Sequence, residues 1–225
     1  MPITVEKYFR EVSSMGTHAL ITTYNETQKS NLPLILIVGR EPNNEGRFVT
    51  ATGTYDFDNA RRCAFWNESY AVVGKLAGMN GQNLKSICRT TNTSPIAFSD
   101  ISPVLIRNND PEMRKKRKNI TLDQIDTHIK NILSLTDALD RTAVVILTGH
   151  RSGSLSKQAK ETFGYGASQL EAGLKFRKVA SISVPFMYGN NQAKILERIR
   201  ADKIVQSKIT ATIDTLMSEK QVKAA

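Results

Sequence analysis

Cysteine and histidine are scarce in this sequence. The 225 residues include two cysteines, Cys63 and Cys88, and three histidines, His18, His128 and His150. The cysteines lack CxxC spacing, which favours reduced thiols over a disulfide framework, and they are too few for an all-cysteine iron–sulfur cluster. Because the histidines are scattered along the chain, they do not indicate a zinc site. We therefore expect no metal ion and no iron–sulfur cluster.

Long apolar runs are also absent. No stretch approaches the roughly 18 apolar residues that a membrane-spanning helix needs, and the first residues show no signal-peptide pattern. No Gly-, Ser- or Pro-rich linker divides the chain. These absences lead us to expect a cytoplasmic protein without a membrane partner, folded as a single domain over residues 1–225.

Basic residues are in excess. Lysine and arginine number 31 against 21 acidic residues, which gives a net charge of +10. Such an excess favours a polyanionic partner, and nucleic acid is the commonest soluble one. A basic protein of the membrane surface is the alternative, but the sequence shows neither a lipid-anchor motif nor a strongly amphipathic terminal helix. Six of the basic residues lie between positions 107 and 118, which predicts a basic loop over about 107–119 that contacts phosphates or is disordered.

Apolar periodicity predicts strands that alternate with helices. Short apolar runs ending in Gly, Pro or polar residues are typical of strands buried on both faces. The predicted strands are 34–39, 97–106 (ending near Asp100), 143–148 and 179–184. The predicted helical segments are 3–24, 59–77, 81–88, 122–140, 156–163, 168–174 and 192–217, followed by a frayed tail over about 219–225. This order predicts a three-layer α/β/α fold of the α/β class with a central four-stranded, mainly parallel sheet.

Polar residues follow each predicted strand. In open α/β sheets, ligands bind just past the carboxyl ends of the strands, so we expect Arg40, Glu41 and Asn43 at the mouth of a site. Four loops would meet at this edge: 39–43, 99–103, 149–154 and 185–191. The Gly/Ser-rich loop at 149–154 offers backbone N–H groups to an anion, but it is not a P-loop because no GKS or GKT follows.

Two short motifs carry a family resemblance. Gly39-Arg40-Glu41-Pro42 follows the first strand, and Ala64-Phe65-Trp66-Asn67 lies in the helix after it. Together with the order of the loops, they resemble the uracil-DNA glycosylase superfamily over roughly residues 32–205. The first motif looks like the family's Gly-x-Asp/Asn-Pro, and the second is similar to the Asn-Arg-Phe-Trp of the mismatch-specific branch. The two motifs are about equally similar to those of the single-strand-selective branch.

The resemblance implies roles for several residues. Glu41 takes the place of the acid or amide that positions water and stabilises the sugar cation, and Asp56 is a second acid suited to that work. The aromatic side chain that stacks on a flipped base would be Tyr55 or Phe57, with Phe57 slightly favoured. The leaving base would be stabilised by a histidine or by backbone donors. No organic cofactor is implied.

Two departures from the family pattern bear on the substrate. Asp100 stands where many members have an Asn that reads uracil, and an ionised carboxylate only accepts hydrogen bonds. It therefore suits an exocyclic amine such as cytosine N4. Asn43 stands where some uracil-specific members place a Tyr that blocks substituents at C5. Both departures favour a pyrimidine modified at C5, such as a modified cytosine.

A third departure lies after the fourth strand. The family's His/Asn-Pro-Ser-x-Leu motif would fall at residues 185–191, and Phe186 stands where the His or Asn would be. An alternative alignment places that motif after the third strand, where His150 would stabilise the leaving base and Leu155 would fill the vacated position. The candidate base-binding residues are Asn43, Tyr55, Phe57, Asp100 and Phe186. The candidate DNA-binding residues are Arg40, Arg151, Ser152, Lys157, Tyr188, Asn190 and Asn191.

The expected function is that of a monomeric, monofunctional DNA glycosylase that flips a C5-modified pyrimidine and hydrolyses its N-glycosidic bond. Such an enzyme would serve DNA repair or defence against phage DNA. Three alternatives remain open: a uracil or mismatch-specific repair glycosylase, a catalytically inactive relative that binds DNA or nucleotides, and a small-molecule hydrolase or nucleotide-binding protein that uses the 149–154 loop.

Overall fold

The fold is built on a four-stranded sheet. The structure, a computed structural model, describes residues 32–40, 64–91, 93–102, 120–139, 141–150 and 157–224. The strands are β1 (Leu34–Gly39), β2 (Ile96–Asp100), β3 (Thr142–Thr148) and β4 (Ala180–Val184). Their order is β2-β1-β3-β4, and every neighbouring pair is parallel. The predicted segment 3–24 and the basic loop at about 107–119 lie outside the described residues.

Helices cover both faces of this sheet. They are α1 (Ala64–Leu76), α2 (Gly81–Thr91), α3 (Leu122–Leu139), α4 (Lys157–Phe176), α5 (Gln192–Ala201) and α6 (Lys203–Ala224), and a 3-10 turn (Gly189–Asn191) precedes α5. The predicted three-layer α/β/α fold is confirmed. None of the helices in the described part of the chain combines the length and apolar character needed to cross a membrane.

Strand β1 shows why three layers form. All six of its residues are buried, and successive side chains of a strand point to opposite faces. Ile35 and Ile37 pack with α1, α2, α5 and α6, whereas Leu36 and Val38 pack with α3 and α4. Full burial of one such side chain stabilises the fold by roughly 1.5–3 kcal/mol. A strand of this kind is stable only when helices cover both of its faces.

Cys88 on α2 belongs to the first of these cores. It is a free thiol and is fully buried. Burial raises the pKa of the thiol to about 12, so the group stays protonated at neutral pH. Cys88 is thus a buried, protonated thiol, and Cys63 lies outside the described residues.

Two predicted helix boundaries are set by local hydrogen bonds. At the start of α3, the Gln124 backbone N–H donates to Thr121 Oγ1 (3.2 Å) and the Thr121 N–H donates to Gln124 Oε1 (2.9 Å), which is a capping box. At the end of α1, Gly78 has φ +74°, and the Met79 N–H donates to the Gly74 carbonyl (2.7 Å). Glycine adopts this conformation without the strain that a Cβ would bring, so the helix ends there.

The prediction of two helices at 156–163 and 168–174 is wrong. A single helix, α4, runs through both segments. Gly164 and Gly166 weaken the helical pattern locally, but Gly166 has a packing role. A Cβ at Gly166 would lie 2.6 Å from Ile101 Cγ2 and 2.8 Å from Ile125 Cγ2. The glycine therefore permits close packing of α4 and does not end the helix.

The C-terminal prediction is wrong in two respects. The single predicted helix 192–217 is divided at Asp202, whose φ of −91° and ψ of 96° are extended. Asp202 Oδ1 accepts hydrogen bonds from the backbone N–H groups of Ile204 and Val205, both at 3.1 Å, and so caps α6. The backbone also remains helical through Ala224, beyond the predicted end at residue 217, and fraying of the tail over about 219–225 stays a prediction. Apolar side chains of α6, among them Ile213 and Leu216, are buried in the core.

The two glycines of α4 provide a matched test of this packing. Gly166→Ala should destabilise the protein by about 1–3 kcal/mol, because the new methyl group overlaps Ile101 and Ile125. Gly164→Ala should stabilise it by roughly 0.5–1 kcal/mol, because a Cβ there meets nothing within 4 Å and alanine favours the helix. Urea unfolding of both variants measures the difference, and equal stabilisation by the two substitutions would contradict the packing.

Candidate functional site

The strand order locates the switch point of the sheet. From β1 the chain continues to β2 on one side, and from β3 it continues to β4 on the other side. In such sheets the loops after the two central strands diverge and leave a crevice at their carboxyl ends, where ligands bind. The residues that leave these strands are Arg40 after β1, and Gly149 and His150 after β3.

Arg40 links the loops after β1 and β4. Its guanidinium carbon lies 5.0 Å from the centroid of the Phe186 ring, which is a cation–π contact. Its backbone carbonyl accepts a hydrogen bond from the Ser102 N–H at 2.8 Å, which extends the β1–β2 pairing by one step. The side chain, predicted to contact phosphate, is thus half-buried against an aromatic ring at the switch point.

Phe186 is held by three further contacts. Its ring stacks on Phe65 of α1, with centroids 5.9 Å apart and planes at 23°. Gly149, with φ +79°, lies so close that a Cβ there would be 2.6 Å from Phe186 Cδ2. Asn191 Nδ2 donates to the Phe186 carbonyl at 2.9 Å. The loop after β4 is therefore fixed against the ends of β3 and α1.

Phe65 extends this contact into an aromatic cluster, which we define as Phe65, Trp66, Phe98 and Phe186. The Phe65 ring meets Phe98 of β2 edge to face at 5.9 Å, and Trp66 stacks on Phe98 at 5.3 Å. Trp66 and Phe98 are buried, whereas Phe65 and Phe186 are partly exposed. The cluster thus runs from the core to the strand-end edge, where partly exposed rings can contact a planar ligand.

Asp100 ends β2 beside the last residue of β1. It pairs in register with Gly39, and a Cβ at that glycine would overlap Asp100 Oδ1 unless the carboxylate moved. The glycine of the Gly-Arg-Glu-Pro motif is therefore needed for the position of the Asp100 carboxylate. The predicted base-binding acid lies at the same edge as Arg40, one strand away from the switch point.

His128 of α3 holds the backbone of Asp100. Its Nε2–H donates to the Asp100 carbonyl at 2.9 Å, and the residue is buried. Burial lowers the pKa of His128 from 6.5 to about 4, and the hydrogen bond to Asp100 opposes this only in part. His128 is therefore neutral at pH 7, with its proton on Nε2.

The other predicted residues are spread around this edge. Lys157 begins α4 and is exposed, Tyr188 is 52% exposed and Asn190 is exposed. His150, the alternative leaving-group stabiliser, is only 3% exposed. Asn191 is the N-cap residue of α5, but its side chain makes no capping hydrogen bond and donates to the Phe186 carbonyl instead. The remaining candidates lie outside the described residues: Glu41, Asn43, Tyr55, Asp56, Phe57, Arg151 and Ser152.

Three residues of the site were not identified from the sequence. The sequence places Phe65 in a motif that resembles a family helix, His128 among scattered histidines and Gly149 in an anion-binding loop, and it assigns none of the three a role in the site. The sequence contains one signal that His128 is buried. Its spacing places it beside Ile125 and Ile129 on the buried face of α3. Among the described residues, no group of three His, Cys, Asp or Glu side chains could hold a metal ion.

The neutral His128 makes folding stability dependent on pH. Its pKa is lower in the folded state than in the unfolded chain, so the stabilisation is complete above pH 6.5 and is lost as the pH falls toward 4. The loss attributable to this histidine is about 3 kcal/mol. His128→Gln, which retains a donor for the Asp100 carbonyl, should show a shallower decline of unfolding free energy over this range.

Urea unfolding of the wild type and of His128→Gln at pH 7 and pH 4.5 measures this difference. Because both proteins carry the same carboxylates, their common acid destabilisation cancels in the comparison. Parallel declines in the two proteins would show that His128 is not buried as a neutral group.

Comparisons with known proteins give no match for this chain. No family model matches it, and no curated protein or solved structure is similar to it at a significant level. The resemblance to uracil-DNA glycosylases therefore rests on motifs within the chain and on their order. A functional proposal has to be supported by the sheet, the residues at its carboxyl edge and the charge of the protein.

Proposed function

We propose that the protein is a DNA glycosylase, a divergent member of the uracil-DNA glycosylase superfamily. The observation that carries the proposal is the convergence of motif segments at one edge of a parallel sheet. Arg40, which precedes Glu41, lies at the switch point; Asp100 ends the neighbouring strand; and Phe186 contacts Arg40 from the loop after β4. A glycosylase needs an acid, a polar group that reads the base edge and an aromatic surface in one place.

The proposed reaction is hydrolysis of the bond between C1′ of the sugar and the base nitrogen. The bond breaks with its electron pair remaining on the base, so positive charge builds on the sugar and negative charge on the base. Glu41 stabilises the sugar cation and orients a water molecule, with Asp56 as the second candidate acid. The water oxygen adds to C1′, and the proton that it loses passes by way of the acid to the departing base. The products are a free base and an abasic site.

The proposed substrate is a pyrimidine modified at C5, such as a modified cytosine. The structure supports a fixed acceptor at Asp100, because its backbone is held by His128 and its carboxylate lies against Gly39. A fixed carboxylate accepts a hydrogen bond from cytosine N4 and offers none to uracil O4. Asn43, smaller than tyrosine, would leave room beside C5.

The proposed partner is DNA, which the enzyme meets as a monomer in the cytoplasm without a metal ion or organic cofactor. The net charge of +10 favours binding to the phosphate backbone. Lys157 and Tyr188 are exposed at segments that follow β3 and β4, where they can contact the backbone beside a flipped nucleotide. Defence against phage DNA and DNA repair are both compatible with this activity.

A second candidate function is DNA binding without catalysis. Phe186 stands where the family carries a histidine or asparagine, and its ring cannot donate a conventional hydrogen bond to a leaving base. If nothing replaces that donor, the protein would bind DNA and release no base. Excision of plain uracil or of mismatched thymine is a further alternative, which the same substrates test.

The decisive measurement is mass spectrometry of bases released from DNA duplexes. The panel should carry uracil, mismatched thymine, 5-hydroxymethylcytosine and its glucosylated form, with unmodified DNA as the control. We expect release of a C5-modified cytosine, and Glu41→Gln should reduce the rate by about 10²–10⁴-fold while DNA binding remains. Release of uracil alone would contradict the substrate, and no release from any duplex would favour the binding protein.

DNA affinity should fall as salt rises. Neutralisation of each phosphate releases counterions, so the logarithm of the binding constant declines linearly with the logarithm of the salt concentration. Fluorescence anisotropy with a labelled duplex at several salt concentrations measures the slope. Weak binding that does not respond to salt would instead favour a small-molecule enzyme or nucleotide-binding protein that uses the loop at 149–154.

A further inference from the structure

Helix α4 ends in a bend that exposes a phenylalanine between two lysines. Phe176, the last residue of the helix, is 87% exposed, and Lys175 and Lys178 are exposed as well. We call residues 175–178 the basic bend. A single exposed apolar side chain is common on protein surfaces and needs no explanation by itself. The backbone and the charges around Phe176 distinguish this one.

Backbone hydrogen bonds fix the basic bend and place Lys178 in a strained conformation. The Val179 N–H donates to the Leu174 carbonyl and the Lys178 N–H donates to the Lys175 carbonyl, both at 3.0 Å, which is a Schellman motif. Lys178 has φ +57°, the left-handed conformation that this motif requires and that glycine adopts without strain. A lysine at this position costs folding free energy, so the chain accepts strain where it places a cation.

Arg177 ties the basic bend to α3. Its Nε–H donates to Asp137 Oδ1 at 2.7 Å, and its Nη2–H donates to Asp137 Oδ2 at 2.9 Å, which is a bidentate ion pair. This pair uses the charge of Arg177 within the protein and neutralises Asp137. The two lysines therefore contribute the net positive charge of the bend, on either side of Phe176.

We propose that the basic bend binds single-stranded nucleic acid. One base stacks on the ring of Phe176, and the phosphates that flank this base contact Lys175 and Lys178. Proteins bind unpaired strands in this way, because every base has a π face and every phosphate carries a negative charge. A duplex hides the faces of its bases, so the ligand of this surface is an unpaired strand.

The basic bend is distinct from the candidate site. It lies directly before β4, at the amino edge of the sheet, whereas the candidate site lies at the carboxyl edge. The 20 residues of α4 separate the two edges, a length of roughly 30 Å. The inference therefore goes beyond the proposed function and does not depend on it.

An anionic membrane surface is the competing partner. Binding to a bilayer boundary requires several apolar side chains that enter it together. In the basic bend, the residues on both sides of Phe176 are charged. One ring between cations is the arrangement of a stacking surface, which favours a nucleic-acid strand.

Fluorescence anisotropy with labelled oligomers tests the proposal. The probes are oligothymidylate and oligouridylate of about 12 nucleotides, together with an abasic oligomer of the same length that keeps the phosphates. Co-sedimentation with vesicles of phosphatidylcholine and phosphatidylserine tests the membrane. The variants are Phe176→Ala, Lys178→Gly and the double variant Lys175→Gln with Lys178→Gln. Lys208→Gln is the matched control, because it removes one exposed lysine charge from α6, in the helical layer across the sheet.

Phe176→Ala should weaken binding of oligothymidylate by about tenfold and leave binding of the abasic oligomer unchanged, because only the stacked base is lost. The double lysine variant should lower the slope of the logarithm of the binding constant against the logarithm of the salt concentration by about 1.4, since each phosphate contact of a single strand contributes roughly 0.7. Lys178→Gly should weaken binding while its urea midpoint stays equal or rises, because glycine relieves the strain. Lys208→Gln should bind like the wild type.

Tighter binding of either oligothymidylate or oligouridylate supports the proposal and identifies DNA or RNA as the source of the strand. The proposal is overturned if the wild type binds neither oligomer, or if Phe176→Ala leaves both affinities unchanged. Equal losses on oligothymidylate and on the abasic oligomer would also overturn it, as would a loss in Lys208→Gln that matches the lysine variants. Binding to vesicles that depends on Phe176, without binding to the oligomers, would assign the bend to a membrane.

These outcomes are independent of the glycosylase function, which release of bases from the duplex panel decides. If the wild type releases a base and Phe176→Ala binds the oligomers unchanged, only the basic bend loses its role. If no base is released and the variants lose affinity as expected, the basic bend stands and the glycosylase function is overturned.

Discussion

The two-sided burial of β1 is the constraint on which the rest of the structure depends. A six-residue strand with every side chain buried must have a neighbouring strand on each edge and helices on each face. The chain meets both requirements by placing β2 and β3 beside it and helices above and below. The residue that leaves such a strand emerges at the centre of the sheet edge. Arg40 is therefore placed at the switch point by the packing of the residues before it.

Much of this architecture could be predicted from periodicity and local chemistry. The apolar runs mark the strands, Thr121 with Gln124 marks the start of α3, and Gly78 marks the end of α1, because each signal acts over a few residues. The failures have a different physical origin. The local sequence pattern predicts that Gly166 ends a helix. Its actual role is to allow close packing against Ile101 and Ile125, which are distant in the sequence. Asp202 likewise divides α5 from α6 inside a pattern that reads locally as one helix, because its carboxylate accepts the first backbone N–H groups of α6.

In the candidate site, too, some features could be predicted from the sequence and others could not. Its location past the strand ends, and the presence there of Asp100, follow from strand order and motif spacing. The contact partners of each side chain do not follow from strand order or motif spacing. Nothing near Arg40 in the sequence indicates that its guanidinium lies at Phe186, and nothing near Asp100 indicates that His128 holds its carbonyl. Both contacts join segments that only the folded sheet brings together, so residue type and spacing could suggest the chemistry without the geometry.

The two walls of the site are anchored in different layers of the protein. Asp100 is tied through His128 to α3, on one face of the sheet, while Arg40 is tied through Phe186 and Phe65 to α1, on the other face. The distance between the carboxylate and the guanidinium therefore depends on the relative position of the two helical layers. A sliding of one layer across the sheet changes the spacing between the acceptor and the cation even when neither loop changes shape.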